Sequence, residues 1–353
     1  MIQEYRKLFE AKALALGYDP SVIERCLSYA EALDSKGLPP VYTPRHLSLL
    51  MGIKREYLEK VLHDSSRFYR YQVISKKNGS KRKIYEPLPT LKGAQYWILE
   101  KVLNRCPISK YAKAYTRSSG IRSNAYYHRG KKTVLNIDIK DFFPSIDYGD
   151  VVAIFLKMGY WPAVAHYLGG LCCHIGRLPQ GAPTSPYLSN LFLMEFDECI
   201  GPKLVAAGLR YTRYSDDITI SGSIANTDEL VSTVRTDLKK LGFSINEEKL
   251  SVQHQGMRQV VTGIVVNSKL QVARRYRKQI RQELYYILKF GFENHVSRKS
   301  IQKPHYIDSL FGRIGFVLQV NPKDAEFMKY REELLRIHRG LPSSADPLGS
   351  TKK

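Results

Sequence analysis

The chain has 353 residues, and Lys+Arg 55 against Asp+Glu 33 leaves a formal net charge of +22. That excess is the footprint of a protein that tracks a phosphate backbone, although ribosome-associated and membrane-surface proteins can be as basic. A charged start (Gln3-Glu4-Tyr5-Arg6-Lys7) argues against a secretory signal, and no window approaches about 18 uninterrupted apolar residues, so no membrane span is expected. Hydrophobic residues at 43% allow a real core, and the length suggests two or three structural units. Five cysteines, odd in number and without metal-type spacing, read as reduced thiols of a cytoplasmic protein.

In chain order, residues 1–62 read as helical. Leu8, Leu14, Leu16, Ile23 and Leu27 recur at helical spacing, Gly37-Leu38-Pro39-Pro40 breaks the run, and a second helical piece covers 44–62. Segments 69–74 and 83–85 flank Lys77-Asn78-Gly79-Ser80, a hairpin signature with Asn-Gly at its turn. Seven basic and no acidic residues lie between Arg67 and Lys83, which reads as a solvated face or as a phosphate-gripping flap. A helix is expected over 91–103 and a strand over 134–139. In that strand Val134, Asn136 and Asp138 share one face and Leu135, Ile137 and Ile139 the other, so Asp138 can point into a cleft. Helices follow over 185–200 and over 227–241, the latter closed by Gly242. Residues 260–266 and 270–272 read as a hairpin around Asn267-Ser268-Lys269. Residues 274–289 form a basic helix, 291–340 look helical and interrupted, and 341–353 look disordered. The strand–helix–strand–strand–helix–strand order across 134–266 predicts a split βαβ sheet.

Chemistry concentrates in Arg210-Tyr211-Thr212-Arg213-Tyr214-Ser215-Asp216-Asp217-Ile218-Thr219. Successive side chains of a regular strand point to opposite faces, so Asp216 and Asp217 serve one site only if the backbone turns sharply there. Asp138 is a third carboxylate upstream. Three carboxylates on one point repel unless divalent cations lie between them, and hard oxygen ligands select Mg²⁺ or Mn²⁺. Two metals about 3.5–4 Å apart are the usual device for moving a phosphoryl group between oxygens. A solvated turn is the plainer reading of an isolated Asp-Asp pair.

Four blocks in order make the chain resemble a reverse transcriptase: Asp138-Ile139-Lys140-Asp141-Phe142-Phe143, Leu178-Pro179-Gln180-Gly181-Ala182-Pro183-Thr184-Ser185-Pro186, Tyr214-Ser215-Asp216-Asp217, and Leu241-Gly242-Phe243 leading to Asn246 and Lys249. Asn124-Ala125-Tyr126-Tyr127-His128 and Val261-Thr262-Gly263 narrow the resemblance to bacterial retron enzymes; Ser215 departs from the alanine usual there. The resemblance covers roughly 67–340. It implies an α+β right-hand polymerase with fingers, a ferredoxin-like split βαβ palm, a helical thumb and an N-terminal helical extension. The expected segments are 1–66 for the extension, 67–133 for the fingers with part of a fingers/palm insertion at 150–185, 134–272 for the palm, 273–340 for the thumb and 341–353 for the tail.

The resemblance also implies roles. Asp138, Asp216 and Asp217 would hold two Mg²⁺, with Mn²⁺ a substitute. Arg82 with Lys81 would grip the dNTP triphosphate, Gln180 and Gly181 would lie beside the nucleotide, and Phe143 would exclude a 2′-hydroxyl. Tyr214 would support the primer end, and Lys249 would protonate the leaving pyrophosphate. Asn124 and His128, four apart and so on one face of a helix, would contact RNA, a cap or core hydrogen bond being the competing reading. Val261, Thr262, Gly263, Arg274, Arg275, Arg277 and Lys278 would line the primer, template or RNA path, with Tyr276, Tyr285 and Tyr286 interleaved. Partners would be a cognate noncoding RNA, its msDNA product, dNTPs and a separately encoded effector in antiphage defence, with no membrane. A group II intron-like or abortive-infection reverse transcriptase, and a non-catalytic RNA-binding scaffold, are the rival readings.

Overall fold

Caps and prolines decide where the helices begin. Thr43 Oγ1 accepts from the His46 amide at 3.1 Å, Pro44 opens the helix Pro44–Met51, and Gly52 ends it at φ 67°. The single helix expected over 44–62 is therefore two, the second being Arg55–His63. The computed structural model describes residues 2–75, 79, 81–116, 119–298 and 305–340, and these form two compact units. The expected disordered tail and the turn residues Lys77, Asn78 and Ser80 lie outside the described residues. Among the described residues no helix is long and apolar enough to cross a membrane.

The first unit comprises 1–115, 138–203 and 228–248. Its amino-terminal helices are not a separate extension. Leu27, Leu33, Leu47 and Leu58 are buried, Tyr29 stacks on Trp161 at 4.1 Å, and Lys36 Nζ donates to the Met158 carbonyl at 2.9 Å. Strands β1 (Tyr69–Ser75) and β2 (Lys81–Pro87) form the expected antiparallel hairpin. Buried Gln95, on the helix Pro89–Lys101, ties this hairpin inward by donating to Tyr69 Oη and the Leu171 carbonyl, both at 2.8 Å. Helices Tyr148–Met158 and Pro162–Cys172 fill the stretch left unassigned between the sequence blocks. The helix expected over 185–200 is broken at Leu193 into Ser185–Phe192 and Met194–Ala206.

The second unit comprises 116–137, 204–227 and 249–353. Its sheet contains β3 (Thr133–Asp138), β4 (Arg210–Tyr214), β5 (Asp217–Gly222) and β6 (Ser251–His254) in the order β4-β5-β3-β6. This is the order of a split βαβ sheet, but its last strand is 251–254 and not 260–266. The segment 251–254 is too short and polar to read as a strand from sequence. Residues 260–272 instead build a separate three-stranded sheet of β7 (Val260–Val261), β8 (Ile264–Val265) and β9 (Gln271–Val272). Thr262 and Gly263 both have positive φ, 46° and 82°, which makes them a two-residue turn of the I′ pattern, so 260–266 is two short strands and not one.

Strand β3 also departs from the expected face pattern. Val134 and Leu135 are both buried, so neither face is open along the strand; Val134 belongs to one core with Ala125, Ile264, Ile280, Leu284, Ile314 and Phe327. The sheet therefore shares its core with the helices Arg274–Phe290, Tyr306–Val320 and Ala325–His338. An ion-pair cluster closes that helical packing. Arg277, 13% exposed, pairs with Asp324, 7% exposed, and its Nη2 donates to Glu326 at 3.1 Å; Arg281 also pairs with Glu326. Burial alone would raise the Asp324 carboxyl, but the hydrogen bonds and charge of Arg277 outweigh it and hold it below the usual carboxylate range.

Because breaking a buried pair strands a charge, Arg277→Gln should cost about 3 kcal/mol in denaturant unfolding at neutral pH. A depressed folded pKa gives stability that is complete above the unfolded value of about 4 and is lost as pH falls through the folded one. The gap between wild type and variant should accordingly close on acidification below pH ~4; a gap independent of pH would count against the pair.

Candidate active site

The β4–β5 register pairs Tyr214 with Asp217, leaving Ser215-Asp216 as a two-residue turn. Ser215 has φ 62° and Asp216 is not among the positive-φ residues, the pattern of a type II′ turn with serine where glycine is preferred. The sharp turn demanded by two adjacent carboxylates is thus present. It is braced by Arg213, the largest fully buried side chain among the described residues, whose Nη1 donates to the Ser215 carbonyl at 3.1 Å. Sequence reasoning missed Arg213, and alternation around it was the available signal: a cation on the same side as no other charge of β4.

Strand β3 neighbours β5 in the sheet, and Asn136 Oδ1 accepts from Thr219 Oγ1 at 3.2 Å, two residues before Asp138 and two after Asp217. Asp138 ends β3 and is 6% exposed. Within the first unit, Asn246 donates to it twice, from Nδ2 to Oδ1 at 3.1 Å and from the backbone amide to the Asp138 carbonyl at 2.8 Å. Asn246 was legible as part of a sequence block, but its role as the partner of Asp138 was not. Among the described residues no three His, Cys, Asp or Glu side chains stand close enough to hold an ion as they are. The donor chemistry nonetheless suits a hard divalent cation: carboxylate oxygens, two of them on one turn.

After Asp138 the chain reverses through Asp141 at φ 45° into the short helix Phe142–Ser145. Phe142 stacks on Phe243 at 5.7 Å and supports Phe143 at 5.2 Å; Phe143 is 8% exposed. On β2, Lys81 and Arg82 are exposed. Farther along the same strand, Tyr85 donates its amide to the Gln180 carbonyl at 2.8 Å. A Cβ on Gly181 would meet Ile84 Cγ2 at 2.6 Å and the Tyr85 carbonyl oxygen at 2.7 Å, and Gly181 has φ 121°. The Gln180-Gly181 loop is therefore seated on the strand that carries Lys81 and Arg82. Lys249 is exposed at the end of the 3₁₀ turn Glu247–Lys249, and Tyr214 is half-buried.

Other expected contacts divide by exposure. Arg274, Arg275 and Lys278 are exposed, whereas Arg277 is spent on its ion pairs. Tyr285 and Tyr286 are exposed, whereas Tyr276 packs on the core. Val261 is core, leaving Thr262 and Gly263 at the turn. Asn124 and His128 are fully buried, and both take part in core hydrogen bonds.

Residues 74–281 match the family model for reverse transcriptase (RNA-dependent DNA polymerase). The chain is 31% identical over 299 residues to the retron Ec86 reverse transcriptase of Escherichia coli, covering 82% of this chain and 88% of that protein. It is 30% identical over 306 residues to the retron Mx65 reverse transcriptase of Myxococcus xanthus (81% and 69% covered), and 31% identical over 314 residues to the retron Mx162 reverse transcriptase of the same organism (80% and 64% covered).

Gly181→Ala combines a forbidden φ with a backbone clash, so it should cost about 1–3 kcal/mol locally. The Tyr85 amide then loses its acceptor. Hydrogen exchange at that amide should accelerate by roughly tenfold or more, while exchange in the core of the second unit stays unchanged.

Proposed function

Because this chain belongs to the reverse transcriptase family, and within it to the bacterial retron reverse transcriptases, it is an RNA-directed DNA polymerase with a right-hand fold, and we propose that it copies part of a cognate structured noncoding RNA into single-stranded DNA. Synthesis would start from the 2′-hydroxyl of a guanosine in that RNA and give branched RNA–DNA, the msDNA. The observation that carries the catalytic part is the Ser215-Asp216 turn, which presents two adjacent carboxylates in a chain with this membership. In this reading the enzyme works in the cytoplasm with a separately encoded effector in antiphage defence.

Asp138, Asp216 and Asp217 would hold two Mg²⁺, with Mn²⁺ as a substitute. Such an ion pair, when bound, activates the attacking hydroxyl and neutralises charge on the transferring phosphate. Arg82, with Lys81, binds the triphosphate from an exposed strand, and the seat of Gln180-Gly181 on that strand keeps both elements in register. Phe143 excludes a ribose 2′-hydroxyl by the bulk of its ring, which is backed by Phe142, itself stacked on Phe243. Tyr214 supports the primer terminus, and Lys249 donates a proton to the leaving pyrophosphate. Arg274, Arg275 and Lys278 grip backbone phosphates on the exposed side of their helix, with Thr262 and Gly263 nearer the nucleic-acid path.

Asp216→Asn with Asp217→Asn should lower dNTP incorporation by at least about 10²–10³-fold, with affinity for the RNA unchanged. Joint loss of synthesis and RNA binding would make these carboxylates structural. Phe143→Ala should admit ribonucleotides, narrowing dNTP/rNTP discrimination by roughly 10–100-fold in kcat/KM. Sequencing the nucleic acid that co-purifies with the chain, before and after debranching, reports the priming chemistry: DNA joined 2′–5′ to RNA is expected, and linear DNA would overturn it.

A further inference from the structure

The helix Ile121–Tyr127 hands the chain to His128, whose ring touches both strands of the hairpin that carries Asp216 and Asp217. Its Nε2 lies 2.7 Å from Thr212 Oγ1 on β4, and its Nδ1 lies 2.7 Å from Ser221 Oγ on β5. Thr212 Oγ1 in turn donates to Asn124 Oδ1 at 2.6 Å. Asn124, His128, Thr212 and Ser221 are all fully buried.

The proton order follows from valence. An amide oxygen only accepts, so the single hydroxyl proton of Thr212 goes to Asn124, and Thr212 must accept from His128 Nε2–H. The other ring nitrogen, Nδ1, meets the Ser221 hydroxyl. The donor order therefore runs from His128 Nε2 through Thr212 to Asn124. The hairpin register pairs Thr212 with Thr219 and Arg210 with Ser221, so the imidazole spans two rungs diagonally. Thr219, opposite Thr212, donates to Asn136 of β3, and Asn136 Nδ2 donates to the Val260 carbonyl at 3.1 Å. Asn124 Nδ2 is buried without a hydrogen-bond partner among the described residues. An asparagine here is thus kept at a cost for the acceptor that it supplies.

We infer that Asn124 and His128 are positioning residues: a buried clamp that sets the pitch of the β4–β5 hairpin and so the aim of Asp216 and Asp217. This rests on the reading of those carboxylates as the metal-binding pair, and it takes the Asn-x-x-x-His spacing as internal architecture and not as an RNA contact. Buried hydrogen bonds that join helix and both strands restrict the hairpin to one geometry, and functional groups need support from residues whose own rotamers are locked.

The test is single-nucleotide addition on a supplied RNA template with an annealed DNA primer, which removes recognition of the cognate RNA from the assay. Thr212→Val and His128→Phe should lower kcat by on the order of 10–100-fold, the penalty of a small misplacement of reacting groups. The Mg²⁺ concentration for half-maximal rate should rise severalfold, while KM for dNTP and affinity for cognate RNA stay within about twofold of wild type. Thr212→Ser and His128→Gln, which keep a donor and an acceptor, should recover most of the rate; these decide the matter if the first two variants fold poorly. Wild-type kcat and Mg²⁺ dependence in Thr212→Val and His128→Phe would overturn the clamp. So would lost affinity for cognate RNA at unchanged kcat, which would return the pair to RNA contact. Asp216→Asn separates the two readings: if it remains active, the carboxylate assignment fails, whereas an inactive Asp216→Asn beside an active Thr212→Val defeats the clamp alone.

Discussion

Two carboxylates on successive strand residues point apart, and the site depends on the one local distortion that brings them together. That distortion is the Ser215-Asp216 turn, with a serine at φ 62° where glycine would sit at ease. A turn of this kind persists only where surrounding structure over-determines it. Arg213 supplies part of that support by burying a guanidinium under the turn and donating to the Ser215 carbonyl. A buried cation is expensive unless its donors are used, and one of them goes to the loop two positions away.

The same logic recurs in both units: buried polar contacts place the backbone. In the first unit, a glycine at φ 121° lets the Gln180 loop sit directly on β2, where the Gln180 carbonyl accepts from the Tyr85 amide. Gln95 does similar work beneath the hairpin, and Asn246 holds Asp138 at both its carboxylate and its carbonyl. In the second unit, Arg277 spends its charge on Asp324 and Glu326, while Arg274, Arg275 and Lys278 on the same helix face solvent. One basic helix thus has an architectural side and an exposed basic side.

Burial also redraws the amino terminus. Leu47 and Leu58 are fully buried, and Tyr29 stacks on Trp161, more than a hundred residues away in the chain. Helices that matched no sequence pattern with a function are part of the scaffold that carries the β1–β2 hairpin.

The sequence alone determined what depends on residue type and local spacing. The hairpin 69–87, the Asp138 strand, the Asp216-Asp217 turn, the basic helix from Arg274 and the family itself are all local, because turn chemistry, periodicity and ordered motifs are read over a few neighbours. The tertiary structure decided what depends on partners distant in the chain. The fourth strand of the sheet is the polar segment 251–254, which becomes a strand only because β3 is there to pair with it. Thr262-Gly263 is a turn inside the expected strand 260–266 because Val261 and Ile264 pair and share one core. Arg213, Arg277, Asn124 and His128 are indistinguishable by type from residues that meet nucleic acid. Their work is fixed by burial, which arises from packing between segments roughly fifty to a hundred residues apart and leaves no mark on the local pattern.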